Sequence, residues 1–197
     1  ESPASTPTIA IDRPGTANDL AATSLSGGGA VWTYTYNVAN QDGSSILDGL
    51  TTATIANGQD AAGNTNQAAT SNTFTIDSTA PTATLTYSKS TLAYKGGDAI
   101  TITATFVEDI TPTATNITIA GGNVGGSAVT NVSRTNPSAY RRTWLFTGIT
   151  VQVGNPDGLR TVTLAASDRS GNALVTQPSG NTFTIDNTAP TATLTYS

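Results

Sequence analysis

Apolar and polar residues alternate with a period of two along most of this 197-residue chain. In PTATLTYS, Ala83, Leu85 and Tyr87 fall on one face of an extended chain and Thr82, Thr84 and Thr86 on the other. In AITITATF, Ile100, Ile102, Ala104 and Phe106 oppose Thr101, Thr103 and Thr105. Successive side chains of a strand point to opposite faces, so each run predicts a β-strand buried on one side. Strands are predicted over 81–88 and 99–107, with shorter ones around Ile117 to Ile119, Trp144 to Phe146, Val162 to Leu164 and Phe183 to Ile185. Clusters of Gly, Asn, Asp and Pro separate them as turns. No segment carries an apolar stripe of helical period.

About seven short strands in about 100 residues, punctuated in this way, predict an all-β sandwich of immunoglobulin type. The pattern also repeats. NTFTIDSTAPTATLTYS at 72–88 returns as NTFTIDNTAPTATLTYS at 181–197, with Ser78 replaced by Asn187 as the only difference. The offset of 109 from Asn72 to Asn181 also carries Asp48-Gly49-Leu50 onto Asp157-Gly158-Leu159. DAAGN at 60–64 maps to DRSGN at 168–172, Ile9 and Ile11 map to Ile117 and Ile119, and the run Trp32, Tyr34, Tyr36 falls near Arg142, Trp144, Phe146. Units of about 109 residues in tandem account for these matches with almost no gaps.

In this frame the first unit has no counterpart of residues 79–111, which hold two predicted strands. A rival frame, Pro7 on Pro81, demands a deletion of more than thirty residues. The expected organisation is therefore tandem immunoglobulin-like β-sandwiches: an incomplete domain over 1–78 lacking its two opening strands, a complete one over 79–188, and residues 189–197 as the first strand of a next domain or a donor strand.

Composition narrows the role. Only 11% of residues are charged, so hydroxyls and amides supply solubility. The net charge of −5 and pI near 4.3 leave no basic stripe for phosphates, which excludes nucleic acid as a partner. Without Cys or His the chain has no disulfide, no thiolate or imidazole metal ligand and no usual general base. No apolar run approaches the ~18 residues of a membrane span, so no membrane insertion is expected. Glu1 in place of an initiator Met is expected of a processed or excerpted chain, and the Thr-rich, Cys-free composition of an exported, extracellular or cell-surface protein.

At TFTIDxTAP, DxxGN and ITITATFVED the chain resembles the tandem Ig-like repeats of very large bacterial and archaeal surface proteins: adhesins, S-layer-like proteins and filament components. The resemblance covers nearly the whole chain and implies a stalk, sheath or adhesive module. In related repeats junctional acids bind calcium and stiffen the array. It thus implies Asp60, Asp77, Asp168 and Asp186, helped by Glu108 or Asp109, as Ca2+ ligands. Calcium takes several hard oxygens in a flexible shell, which turns holding Asp beside Gly and Asn can supply. Against this stands a purely local role, with Asp60 and Asp168 closing Asx-turns and Asp77 and Asp186 ending strands.

Other constellations point to binding or nowhere. Glu108 and Asp109 are adjacent on a strand and face opposite ways, so they cannot flank one glycosidic bond. The aromatics Trp32, Tyr34, Tyr36, Trp144 and Phe146 alternate as a core face does, with a cell-surface glycan platform as the rival reading. NIT at Asn116 and NVS at Asn131 fit the N-glycosylation triplet. The Gly-rich stretches 26–29 and 121–126 precede no helix and cradle no phosphate.

The expected role is a non-enzymatic structural subunit of an extracellular filament, pilus or surface layer. The short DxTAP junction, stiffened by Pro81 and Pro190, predicts a semi-rigid rod. Ala192, Leu194 and Tyr196 on one face of the last segment are expected to act as a donor strand for a neighbour's incomplete domain, which repeated head to tail gives a homopolymer. The alternatives are adjacent repeats of the same chain in a large adhesin stalk, and a carbohydrate- or cell-adhesion module.

Overall fold

The structure is a computed structural model and describes residues 4–15, 20–38, 48–67, 73–112, 115–121, 133–134 and 140–196. It divides into two compact units, Glu1–Thr79 and Ala80–Ser197. Each is all-β among the described residues.

The first unit holds β1 (Thr8–Asp12), β2 (Leu20–Ser24), β3 (Ser26–Gly28), β4 (Val31–Thr33), β5 (Gly49–Ala56) and β6 (Thr73–Ile76). Its main sheet has the order β2-β1-β5-β6, antiparallel throughout, while β3 and β4 form a separate two-stranded ribbon. Ile11, Leu25 and Ile76 are its buried apolar side chains among the described residues.

The second unit holds β7 (Ala83–Tyr87), β8 (Ala93–Tyr94), β9 (Ala99–Ile110), β10 (Asn116–Ala120), β11 (Ser133–Arg134), β12 (Arg141–Thr150), β13 (Gly158–Ala165) and β14 (Thr182–Ile185). One sheet runs β10-β13-β14-β8 and the other β11-β12-β9-β7; β8 alone pairs in parallel, with β14. Both sheets send alternate side chains into one core. Ile100, Ile102, Ala104 and Phe106 of β9 and Trp144 and Phe146 of β12 meet Ile117, Val162, Leu164, Phe183 and Ile185 from the opposite sheet. This is a β-sandwich, and its inward residues are those the period-two pattern selects. Each fully buried large apolar side chain contributes about 1.5–3 kcal/mol relative to exposure. The β9–β12 register slips between Phe146 and Ile149, a bulge that keeps Ile149 facing inward.

The aromatic runs part company. The strand around Trp144 is paired on both edges, by β9 and β11, and Trp144 is 1% exposed. In the first unit the corresponding strand is shorter, Val31–Thr33, with Tyr34 and Tyr36 outside it. Trp32, Tyr34 and Tyr36 are all half-buried.

Candidate functional site

The DxxGN turns are built alike. Asp60 Oδ1 accepts the amides of Ala62 and Asn64 at 2.9 and 2.8 Å, and Oδ2 accepts Asn64 Nδ2 at 2.8 Å. Asp168 Oδ1 accepts the amides of Gly171 and Asn172 at 2.7 and 2.8 Å, and Oδ2 accepts Asn172 Nδ2 at 2.8 Å. The glycine is required: Gly63 has φ 87° and Gly171 φ 98°, left-handed backbone that costs a Cβ-bearing residue about 1–2 kcal/mol. The hydrogen bonds from Asn64 hold the Asp60 carboxyl below its ordinary range. Asp168 is buried while Asp60 is half-exposed.

In the second unit the carboxylate oxygens of Glu108 and Asp168 approach within 4.8 Å. A backbone bridge between Ile110 and Asp168, with Thr111 N donating to Ser167 O at 2.9 Å, brings the end of β9 to this turn. Asp109 is not brought there; it lies on the other side of β9 and pairs with Arg142 at 3.8 Å in an exposed contact. Asp60 sits in the first unit's own turn, Asp77 is half-buried just after β6, and Asp186 is exposed just after β14.

The two strand ends carry a second shared device. Asp77 Oδ1 accepts the Thr79 amide at 3.2 Å and Asp186 Oδ1 the Thr188 amide at 3.0 Å. A further acid from inside each unit grips the same segment. Asp157 Oδ1 accepts the Asn187 amide at 2.7 Å and Asn187 Nδ2 at 2.9 Å, and its Oδ2 accepts the Thr188 hydroxyl at 2.7 Å. Asp48 Oδ1 accepts the Ser78 amide and hydroxyl at 2.7 and 2.6 Å, and its Oδ2 accepts the Thr79 hydroxyl. The one difference between the repeated phrases, Ser78 against Asn187, thus preserves a side-chain donor to the same carboxylate. Hydrogen bonds lower both acids' pKa, those from Ser78 first for Asp48 and from Thr188 first for Asp157. Sequence reasoning passed over Asp48 and Asp157; the signal was the Asp-Gly-Leu triplet recurring at the offset of the junction phrase.

The remaining sites separate cleanly. Trp144 and Phe146 lie in the core and offer no ring face to a sugar. Ala192, Leu194 and Tyr196 are exposed, Leu194 at 74% and Tyr196 at 89%, and their segment forms no strand within the chain. A strand needs a hydrogen-bonding neighbour, which alternation alone does not supply. Asn116 opens β10 and is exposed, whereas Asn131 lies outside the described residues. No helix among the described residues is long and apolar enough to cross a membrane.

The profile of the family described as bacterial Ig-like domain (group 3) matches residues 30–142. The chain belongs to this bacterial Ig-like family. No curated protein and no solved structure matches it. The matched span takes in TFTIDSTAP and ITITATFVED, the phrases on which the resemblance rests, and ends as β12 begins. As a bacterial Ig-like domain the chain is a module of cell-surface structural or adhesive proteins, a family typically without enzymatic activity.

Proposed function

We propose that this chain is a non-enzymatic structural module of an extracellular filament or surface layer. The observation that carries the reading is the paired junction latch: Asp48 and Asp157 fix the Asp-x-Thr segment that leaves the last strand of each unit. Surface acids spent twice on immobilising a connecting segment suit a load-bearing array, in which the exit direction of the chain must be the same at every repeat. Proline directly after the latch, Pro81 and Pro190, restricts the backbone further.

The finer reading is assembly by β-strand addition. The first unit lacks counterparts of β7, β8 and β9 in the repeat frame, and residues 191–196 repeat the sequence of β7. In a homopolymer the exposed segment of one copy supplies the first of the missing strands to the incomplete unit of the next, and such a head-to-tail contact does not close. Electron microscopy of the purified chain tests this: fibres are expected, and a variant lacking residues 189–197 should give separate short rods. A deletion variant that still polymerises removes the strand-addition mechanism. The stalk of a large adhesin is the second reading. It is favoured by the tight, repeated junction, and it makes the partner an adjacent repeat rather than another copy.

For the second unit the reading extends to calcium. Glu108 and Asp168 place two like charges within 4.8 Å at the edge of the core. A divalent cation between them would offset their repulsion and take its other ligands from backbone carbonyls and water. Thermal melting with calcium and with a chelator decides this. A higher midpoint with calcium is expected in the native chain and not in Glu108→Gln; equal midpoints remove the cation from the proposal.

A further inference from the structure

Three exposed arginines of the second unit gather at one place. Arg141, Arg142 and Thr143 at the start of β12, with Tyr140 before them and Asp109 of β9 beside them, line an open depression of about 400 Å³. Arg169, just past β13, lays its guanidinium over the Tyr140 ring, 5.2 Å from the centroid. Of the eight Lys and Arg residues in a chain of net charge −5, three thus share one depression.

A fault in the β9–β12 ladder makes this possible. Arg141 pairs with Ile110 and Thr143 with Thr105, so Arg142 alone stands against residues 106–109. Trp144 and Phe146 face the core, and strict alternation would send Arg142 there as well. The bulge turns it out instead, 65% exposed, beside Arg141. Its contact with Asp109 at 3.8 Å is long and open to solvent, and therefore weak. Among the described residues no carboxylate pairs with Arg141 or Arg169. The cluster is also no property of the repeat: in the repeat frame the three arginines fall on Val31, Trp32 and Ala61, none of them basic. Exposed cations without partners add little to the stability of a sandwich, which leaves recognition as their use.

The mixture of groups defines what fits. Guanidinium forks take a carboxylate through paired hydrogen bonds. A bare anion would gain nothing from Asp109 among the arginines, whereas a ligand with hydroxyls beside its carboxylate can donate to Asp109 and exchange a hydrogen bond with Thr143. An acidic sugar carries both, and the depression has the size of a small-ligand cleft, about 300–1,000 Å³. We infer that this depression binds a uronate unit of an acidic polysaccharide, with Arg141, Arg142 and Arg169 on the carboxylate and Asp109 and Thr143 on the ring hydroxyls. The site gives a cell-surface module a glycan to hold, and it does not depend on how copies of the module assemble.

The test is equilibrium dialysis of the full chain against labelled oligogalacturonate, the same oligomer with its carboxyls reduced, and polyglutamate. The native chain should retain oligogalacturonate and not the reduced form. Arg142→Gln should weaken that binding about tenfold, whereas Lys95→Gln, which removes one exposed positive charge elsewhere in the unit, should leave it unchanged. Asp109→Ala separates a sugar from an acidic protein surface. It should weaken oligogalacturonate, which loses a hydroxyl acceptor, and strengthen polyglutamate, which meets one negative charge fewer. Tighter binding of both would make the depression a plain anion patch and overturn the sugar. No retention of oligogalacturonate, equal retention of its reduced form, or equal losses in Arg142→Gln and Lys95→Gln would overturn the site itself.

Discussion

The Asp157 carboxylate receives the Thr188 hydroxyl at 2.7 Å, across a strand end and a turn that the sequence separates by about thirty residues. Its partner Asp48 does the same for Thr79. Because these groups are exposed, the latch orders the connecting segment more than it stabilises the sandwich. Asp157→Ala should therefore abolish hydrogen-exchange protection at the Asn187 amide and leave that of Val162, whose amide donates to Asn181 O at 2.7 Å, unchanged. Retained protection at Asn187 would show that the segment is held by something else.

Acid should open these contacts together. Asp48, Asp60, Asp98 and Asp157 all have carboxyls held below the ordinary 3.8; Asp98 owes this first to Lys89. A carboxyl depressed in the folded chain binds its proton more readily when unfolded, so its contribution is present above 3.8 and disappears as pH falls through the folded value. Thermal midpoints should be flat from neutral pH to about 5 and fall below 4. Asp157→Asn should show a shallower decline. An acid limb identical to that of the native chain would mean that Asp157 plays no part in it.

The turn around the buried Asp168 is a matter of stability rather than order. Asp168→Ala strips three hydrogen bonds from a turn whose acid is buried while Gly171 is exposed and Asn172 half-exposed, a loss of about 1–3 kcal/mol in denaturant unfolding of the second unit. Gly171→Ala should cost about 1–2 kcal/mol through its φ of 98° alone, since nothing stands within 4 Å of the added Cβ.

Period-two alternation was enough to place Ile100, Ile102, Phe106 and Trp144 on an inward face, because a strand's geometry fixes which residues share a side. It could not say what covers that side. Trp32 and Trp144 read identically in sequence, yet one lines an open cavity and the other is sealed between two sheets. Glu108 and Asp109 were correctly set on opposite faces, but only the bridge from Ile110 to Asp168 shows that Glu108 is the one that meets the turn. Asp48 and Asp157 escaped notice because their partners lie about thirty positions away and an isolated Asp-Gly pair reads simply as a turn.

A last comparison between the repeats concerns buried arginine. In the first unit Arg13 is buried and directly follows the end of β1 at Asp12, one step past the pair Asp12–Thr52, which sets it opposite Thr51. In the second unit the corresponding positions are Gly121 and Arg160, and it is Arg160 that is buried. The guanidinium has changed strands. Arg160 donates to the carbonyls of Leu159 and Pro156 at 3.1 and 2.6 Å, and so ties down the turn that presents Asp157. Arg160→Thr should cost about 2–3 kcal/mol and weaken the latch with it. Copying the first unit's solution, Gly121→Arg with Arg160→Thr, should not recover the loss. Gly121 has φ 108°, and a Cβ there would lie 2.9 Å from the Leu159 carbonyl, whereas Arg13 is not among the positive-φ residues. Recovery of the native unfolding midpoint in the double variant would mean that β10 can re-form with a side chain at 121, and that the exchange is symmetric.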